Sequence, residues 1–431
     1  MNLKPYPKYK DSGIEWLGEV PEGWEVKKLK YVAHVEMGQS PESDFYNKDG
    51  NGVPFLQGNA DFKEIYPQPQ VWTTEGNKYS KKDDILISVR APVGEINISD
   101  NRYAIGRGLV ALRFCEKFNF KFYYYLFNKA KNYFDSVSTG TTYTSVSTDD
   151  IKNISVVVPP KEHQITIATF LDQKTTKIDK LIKKNETLVE LLKEKRQAVI
   201  SHAVTKGIPT YSHLEKIPPH PPLEKGGWGD LKMKDSGIEW IGEIPEGWEV
   251  KRLKFNLQLL TEKTDRRENP VALENIESWL GEYKETESEF QGEGVAFEKG
   301  DILFGKLRPY LAKVWLAYFS GEAIGDFFVM RPSLDIDGRF AVYQILNKEF
   351  ISIVDGSTFG AKMPRVSWDF MANLRLPTPH IVEQHAIADY IGRETGKIDA
   401  TIQKILSQIA TLKEYRQTLI SNVVTGKVRV L

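Results

Sequence analysis

Cysteine is almost absent from this sequence of 431 residues, because Cys115 is its only one. A lone thiol cannot form an internal disulfide framework, nor a cysteine-rich zinc or iron–sulfur site. Long apolar runs are absent too, since stretches such as ISVVV before Pro159 are far shorter than the roughly 20 residues that span a bilayer. The first residues, MNLKPYPKYKDSG, lack the apolar core of a signal peptide. We therefore expect a cytoplasmic protein that does not contact a membrane.

Net charge is also lacking, because 58 lysine and arginine residues balance 58 aspartate and glutamate residues. This balance argues against a protein that holds nucleic acid by bulk attraction, which needs clustered positive charge. The sequence contains no P-loop, no GxSxG nucleophile elbow and no HExxH zinc motif. None of its Pro-Pro pairs belongs to the Asn/Asp-Pro-Pro-aromatic motif of DNA amino-methyltransferases. We expect no catalytic residues, no metal and no cofactor in this chain.

What the sequence does contain is one unit written twice. KDSGIEWLGEVPEGWEVKKLKY at 10–31 returns as KDSGIEWIGEIPEGWEVKRLKF at 234–255. EKRQAVISHAVTKG at 194–207 returns as EYRQTLISNVVTGK at 414–427. Because repeats reveal architecture before finer features do, we expect two similar halves.

Between the matched ends the halves diverge, with predicted strands within 84–95 and 301–312 and predicted helices over 120–134 and 340–354. The fold class we predict is α+β, with two tandem mixed α/β domains that are each followed by a long helix. The domains are placed at 1–160, with an anchoring segment at 10–31, and at 232–380, with an anchoring segment at 234–255. The long helices are placed at 161–207 and 381–431, and a proline-rich linker at 208–231.

Both predicted long helices carry apolar residues at alternating spacings of four and three, which is the seam of a coiled coil. The seam residues are Ile178, Ile182, Asn185, Val189, Leu192 and Val199 in the first helix, and Ile398, Ile402, Ile405, Ile409, Leu412 and Leu419 in the second. The connectivity favours antiparallel packing with approximate twofold symmetry. A helix lying on its own domain is the alternative. Asn185 either sets the register of the pair or lies at a wet edge.

A helix from about Ile165 to Ala203 is about 58 Å long, which corresponds to about 17 base pairs of duplex. Residues suited to base edges and phosphates lie in the divergent parts of both halves. The candidate DNA contacts are Arg90, Arg102, Arg107, Thr141, Thr142 and Tyr143 in the first half, and Lys306, Arg308, Lys362 and Arg365 in the second. Solvated surface charge is the alternative for each of the basic residues.

A nuclease-like pattern occurs twice, because Asp11 precedes Glu25-Val-Lys27 and Asp235 precedes Glu249-Val-Lys251 at the same spacing. Many metal-dependent nucleases bring carboxylates to Mg²⁺ with such a pattern. The stretch between them is short and rich in glycine, proline and tryptophan, and duplication accounts for its double occurrence. We therefore favour anchoring segments whose tryptophans pack against the helices, namely Trp16, Trp24, Trp240 and Trp248.

These motifs resemble the specificity (S) subunits of type I restriction–modification enzymes. The likeness is carried by SGIEWLGEVPEGWEVKKL and its copy, by VVVPPKEHQITIATFLD and LRLPTPHIVEQHAIADYIG, and by KRQAVISHAVTKG and YRQTLISNVVTGK. One departure is His163, which stands where the second half has Glu383; we expect this to affect only a minor cap contact.

The resemblance implies that each globular domain is a target-recognition domain reading one half of a bipartite sequence in double-stranded DNA. It also implies modification (M) subunits that use S-adenosylmethionine, and a restriction (R) subunit that uses ATP and Mg²⁺. The chain itself is then a non-catalytic part of a DNA methyltransferase and endonuclease. The alternatives are a coiled-coil scaffold that binds only proteins and, less favoured, an autonomous metal-dependent nuclease.

Overall fold

The computed structural model describes residues 4–130, 146–208, 232–264, 268–286, 293–360 and 362–430. Two units make up the chain: Met1–Asn185 with Ser407–Leu431, and Glu186–Leu406. Almost all of the predicted linker, 209–231, lies outside the described residues. In the described part of the chain, no helix is both long enough and apolar enough to cross a bilayer.

Unit 1 is a mixed α+β unit. Its strands are β1 (Tyr9–Asp11), β2 (Glu19–Pro21), β3 (Glu25–Lys28), β4 (Ala33–Met37), β5 (Tyr46–Asn47), β6 (Val53–Leu56), β7 (Val71–Thr73), β8 (Ile85–Ser88), β9 (Ile96–Ile98), β10 (Ala104–Ile105), β11 (Leu109–Phe114) and β12 (Ser155–Val158). Its helices are α1 (Phe120–Lys129), α2 (Thr148–Asn153) and the first part of α3 (Lys161–Lys206).

Two four-stranded sheets form the globular part of unit 1. One has the order β4-β11-β8-β9 with antiparallel neighbours, and the other has the order β10-β6-β7-β5. The strand β8 is buried along its whole length, which explains its unbroken apolar run, while β12 pairs with β3. Trp24 is buried edge-on against Phe122 of α1, so the anchoring segment closes one side of the core.

Unit 2 repeats this plan. Its strands are β13 (Met233–Asp235), β14 (Glu243–Pro245), β15 (Glu249–Arg252), β16 (Leu257–Leu260), β17 (Lys263–Thr264), β18 (Pro270–Val271), β19 (Gly294–Phe297), β20 (Ile302–Gly305), β21 (Val314–Leu316), β22 (Gly321–Ile324), β23 (Phe327–Pro332) and β24 (Arg375–Thr378). Its helices are α4 (Leu253–Asn256), α5 (Gly338–Ile345), α6 (Lys348–Gly356), α7 (Trp368–Asn373) and most of α8 (Ile381–Val424), which begins in this unit.

The sheet order β16-β23-β20-β21 of unit 2 matches β4-β11-β8-β9 of unit 1. An ion pair to a buried aspartate repeats with it: Arg113 donates two hydrogen bonds to Asp84, at 3.0 and 2.7 Å, and Arg331 donates two to Asp301, both at 2.8 Å. The second sheets differ, because β17-β19-β22-β18 does not follow the order β10-β6-β7-β5. The framework is therefore duplicated, while the sheet beside it has diverged.

Three local expectations from the sequence are corrected by the structure. The predicted helix over 340–354 is two helices, α5 and α6, because Asn347 begins the second by accepting hydrogen bonds from the Glu349 and Phe350 amides. The predicted helix over 120–134 ends as α1 at Lys129 in the described residues. The helix predicted at 381–431 ends at Val424.

A buried glutamine ties the start of each long helix to its own globular part. Gln164 accepts a hydrogen bond from the Asn119 amide at 2.9 Å and donates to the Pro159 carbonyl at 2.8 Å. Gln384 likewise accepts from the Asp337 amide at 2.8 Å and donates to the Pro379 carbonyl at 2.8 Å. Asn119 and Asp337 are the residues that cap α1 and α5. The glutamine thus joins two helix starts in each unit.

Within each unit the two long helices touch each other. In unit 1, Arg416 of α8 donates hydrogen bonds to both carboxylate oxygens of Asp179 in α3, at 2.8 and 3.2 Å. In unit 2, Arg196 of α3 donates to both oxygens of Asp399 in α8, at 3.0 Å each. The buried predicted seam residues are Ile178, Ile182, Ile409 and Leu419 in unit 1 and Val189, Ile398, Ile402 and Ile405 in unit 2. The half-buried ones are Asn185, Leu192, Val199 and Leu412.

The two helix starts carry His163 and Glu383 at the same position of the repeat, and the role of this position differs from the cap contact we expected. Glu383 accepts a hydrogen bond from the Trp248 indole N–H at 3.0 Å, so it holds the anchoring segment. The repeat gives His163 and Trp24 the same positions in unit 1. Both Trp24 Nε1 and His163 Nδ1 are buried without a hydrogen-bond partner in the described part of the chain. Burial, and then the charge of Arg429, lowers the pKa of His163.

We expect His163→Glu to raise the thermal unfolding midpoint of the protein. A carboxylate at this position gives the Trp24 indole an acceptor and faces the positive charge of Arg429. One hydrogen bond to a buried donor contributes about 1 kcal/mol. The reciprocal variant Glu383→His should lower the midpoint, because it leaves Trp248 without its acceptor. Equal midpoints for wild type and both variants would contradict this account.

Candidate nucleic-acid interface

In unit 1 the carboxyl ends of four strands meet where the chain crosses itself closely. The Gly38 amide, after β4, donates to the Leu109 carbonyl at 2.9 Å, and the Gly106 amide, after β10, donates to the Leu56 carbonyl at 2.8 Å. A Cβ atom on Gly38 would lie 2.1 Å from the Gly106 carbonyl oxygen, so a side chain there is excluded. The Val89 amide, after β8, donates to the Gly108 carbonyl at 2.9 Å. We call this set of strand ends the glycine crossing.

The glycine crossing presents four exposed polar side chains to solvent. Arg90 and Arg107 are two of the predicted DNA contacts, and the structure brings their backbones together here. Gln39 and Gln57 lie on the other two strand ends, and no pattern in the sequence marks them as contacts. None of the four side chains makes a hydrogen bond or ion pair with another described residue. Strong donors and acceptors without an internal partner suit recognition of an external ligand.

The remaining candidates of unit 1 lie elsewhere. The guanidinium of Arg102 is 4.0 Å from the ring centroid of Tyr79, so this arginine is stacked on an aromatic face. Thr141, Thr142 and Tyr143 lie outside the described residues.

In unit 2, two of the predicted contacts, Lys306 and Arg365, lie beside Asp326. Arg365 donates to its two carboxylate oxygens at 3.0 and 2.8 Å, and the Lys306 ammonium lies 3.9 Å away. The hydrogen bonds that Arg365 donates to Asp326 raise the pKa of Arg365. Part of the positive charge on this surface is therefore compensated by the protein itself.

The other two candidates of unit 2 are exposed near this ion pair. Arg308 has a backbone φ of 51°, in the left-handed region that residues with side chains rarely adopt, and its amide donates to the Pro364 carbonyl at 2.8 Å. Such strained positions cluster at binding sites. Lys362 is exposed in the segment that this hydrogen bond holds.

The two units carry opposite charges at one equivalent position. The aligned segments AIGRGLVALR and AIGDFFVMRP place Arg107 of unit 1 opposite Asp326 of unit 2. In both units a later segment of the chain is bonded to an equivalent strand end. The Val146 amide donates to the Val89 carbonyl, and the Val366 amide donates to the Lys306 carbonyl. A shared backbone thus presents a free arginine in one unit and a paired aspartate in the other.

The carboxylates of the nuclease-like pattern do not converge on a metal site. Glu25 pairs with Lys27, whose hydrogen bond lowers the glutamate pKa, and Glu249 pairs with Lys251 at 3.0 Å. Asp11 instead accepts a hydrogen bond from the Gly13 amide at 2.9 Å. Within the described ranges, no group of three or more His, Cys, Asp or Glu side chains is placed to hold a metal ion.

Comparison with known proteins shows which proteins this chain resembles. Residues 21–191 match the family model described as type I restriction modification DNA specificity domain. The chain is also 22% identical to the type I restriction enzyme EcoDI specificity subunit of Escherichia coli over 95% of this chain and 90% of that protein. This chain is similar to the specificity subunits of type I restriction enzymes.

Two further matches cover part of the chain. The putative type I restriction enzyme MjaX specificity subunit of Methanocaldococcus jannaschii is 41% identical over 186 residues, which is 42% of this chain and 43% of that protein. The match to MjaX therefore spans less than half of that subunit. The crystal structure of the HsdS subunit from Thermoanaerobacter tengcongensis is 35% identical over 39% of this chain and 40% of that one, with a TM-score of 0.34.

We expect Asp326→Asn to increase the affinity of the chain for duplex DNA of unrelated sequence. Without the carboxylate, Lys306 and Arg365 are free to contact phosphates, and each added contact steepens the dependence of log K on log salt by about 0.9. Fluorescence anisotropy titrations at salt concentrations from about 50 to about 200 mM measure both the affinity and its salt dependence. Asp335→Asn is the control, because it removes the same charge from an exposed aspartate away from these two residues. Equal effects of both variants would show that only net charge matters.

Proposed function

We propose that this chain is the DNA sequence-specificity subunit of a type I restriction–modification complex. The observation that carries the proposal is the duplicated framework with a divergent surface. The sheet order and the Asp84–Arg113 and Asp301–Arg331 pairs occur in both units, whereas the equivalent surface position is Arg107 in one and Asp326 in the other. Two domains that share a framework but differ in their contact residues are suited to a DNA target whose two halves differ in sequence.

In this proposal the globular parts 1–160 and 232–380 are the target-recognition domains. Base edges are read by side chains with fixed positions, while contacts to phosphates orient the protein. The free side chains at the glycine crossing serve unit 1 in this way, together with Arg102. Arg308, Lys362, Lys306 and Arg365 serve unit 2.

The long helices, in this proposal, pair as an antiparallel coiled coil that holds the two domains apart with approximate twofold symmetry. The two Arg–Asp pairs support it, because Arg196 and Arg416 are equivalent residues of the repeat, and so are Asp179 and Asp399. The burial of apolar residues at spacings of four and three supports it as well. Helix α3 has 46 residues and is therefore about 69 Å long.

We assign the chemistry of the complex to partner subunits. Modification subunits would bring S-adenosylmethionine, and a restriction subunit would bring ATP and Mg²⁺. The net charge of zero fits this division, because subunits that surround the duplex supply most of the attraction to phosphates. The specificity subunit then acts by positioning and is itself non-catalytic.

Exchange of one recognition domain tests the proposal. Residues 32–153 are replaced by the equivalent segment of a related specificity subunit, and the chain is produced with its modification subunits. We expect methylation mapping by sequencing to show one new half-site beside one unchanged half-site. The reciprocal exchange of residues 256–373 should change the other half. Methylation without sequence preference, or no DNA binding by the complex, would instead favour a scaffold that binds only proteins.

We further expect the helix length to set the gap between the half-sites. Deleting residues 183–189 and 406–412 together removes one heptad from each helix and keeps the seam in phase. Seven residues correspond to about 10 Å of helix, or about 3 base pairs. Methylation mapping should therefore show both half-sites unchanged and a gap that is shorter by about 3 base pairs. An unchanged gap would contradict the role of the helices as a spacer.

A further inference from the structure

The glycine crossing of unit 1 brings Gln39, Gln57 and Arg107 together, and nothing in the framework requires their side chains. We propose that these three residues read base edges in the major groove of the half-site bound by unit 1. The glutamines recognise adenine and the arginine recognises guanine. This inference rests on the proposed function and names the specificity-determining residues of one recognition domain.

The backbones of the three residues are neighbours. The Gln39 amide donates to the Ile105 carbonyl at 2.9 Å, which places Gln39 beside the Gly106-Arg107 step. Strands β6 and β10 are parallel, with Ile105 opposite Leu56, so Gly106 follows at the level of Gln57. A Cβ atom on Gly106 would lie 3.0 Å from the Gln57 carbonyl oxygen, and one on Gly108 would lie 2.9 Å from it. Three distant parts of the sequence therefore present their side chains from one small area.

The backbone of this area is held by the protein before any ligand binds. The Arg107 amide donates to the Ser40 hydroxyl at 3.3 Å, and the Gly38 and Gly106 amides are bonded to neighbouring strands. Glycine is required at Gly38 because the opposing carbonyl oxygen occupies the space of a side chain. Base readout depends on fixed donor and acceptor positions, so a stiff backbone beneath these side chains favours specificity.

A structural role for the three side chains is not supported. All three are exposed, and none of them bonds to another residue in the described part of the chain. In contrast, Arg113 of the same domain is bound to Asp84, and Arg102 is stacked on Tyr79. Removing a free, exposed side chain is expected to change stability by less than about 0.5 kcal/mol, or only about twofold in the folding equilibrium.

The chemistry of these side chains selects particular bases. A glutamine side chain can make two hydrogen bonds to adenine. Its NH2 group donates to N7, and its carbonyl oxygen accepts from the N6 amino group. An arginine guanidinium donates to both O6 and N7 of guanine. In unit 2 the position of Arg107 is an aspartate that is already bound to Arg365, so the same guanine contact is not available from that position.

The test uses the complex with its modification subunits and measures methylation of a duplex DNA library in which the target positions are randomised. The variants are Gln39→Ala, Gln57→Ala and Arg107→Ala, and Gln68→Ala is the matched control. Gln68 is an exposed glutamine of the same domain that lies outside the glycine crossing. Thermal unfolding of each variant verifies that the fold is retained.

We expect each of the three variants to lose about tenfold or more of its preference at one position of one half-site. That position should be an adenine for the glutamines and a guanine for the arginine, with the other half-site and the unfolding midpoint unchanged. The control should methylate the same sequences as wild type.

Several results would overturn the inference. Unchanged sequence preference in all three variants, or an equal loss of methylation at all sequences, would show that these side chains do not read bases. A changed preference for bases other than adenine or guanine would refute the assignment. These outcomes leave the proposed function standing, whereas it fails if the wild-type complex methylates the library without a bipartite preference.

Discussion

Two buried glutamines determine how the long helices are attached to the rest of the protein. Gln164 and Gln384 are almost completely inaccessible, at 1% and 0% exposed, and each bonds the backbone of the residue that caps another helix and of a proline just before its own helix. A buried amide whose donors and acceptors are satisfied fixes one geometry, because any other arrangement leaves orphaned polar groups. The direction in which each helix leaves its globular part is therefore set locally, and in the same way in both units.

The globular parts of the two units also share a stabilising ion pair. In each of them a buried aspartate just before one strand binds an arginine on the neighbouring strand. The pairs are Asp84 with Arg113 and Asp301 with Arg331. Because these pairs and the strand order are kept, the strand ends occupy equivalent places in both units. The residues on those ends are free to differ, and Arg107 and Asp326 show that even the sign of the charge has changed. A shared framework with different residues on its strand ends fits the proposed reading of two different half-sites.

Much of the architecture could be predicted from the sequence, because it depends on patterns along the chain. The repeat indicated two halves, and the apolar spacing in Ile178, Ile182, Ile398 and Ile402 indicated which face of each helix is buried. In the structure the two long helices begin at Lys161 and Ile381. The break between α5 and α6 was missed, since the capping role of Asn347 competes with an apolar pattern that continues across it.

The candidate site was only partly accessible to such reasoning. Arg90 and Arg107 attract notice as basic residues beside glycine or proline, whereas Gln39 and Gln57 have no local signal and are significant only through their neighbours. The function of Glu383 was also hidden, since its partner, Trp248, lies far away in the sequence.

Residue order alone showed the duplication, the apolar spacing in the long helices and the shortage of catalytic motifs, because periodicity and identity are properties of the sequence itself. Tertiary structure decided which side chains became neighbours, which arginines were already bound to a carboxylate and which remained free. The reason is physical: hydrogen bonds and steric exclusion act over a few ångströms in space, and at the glycine crossing they join strand ends that are tens of residues apart in the chain.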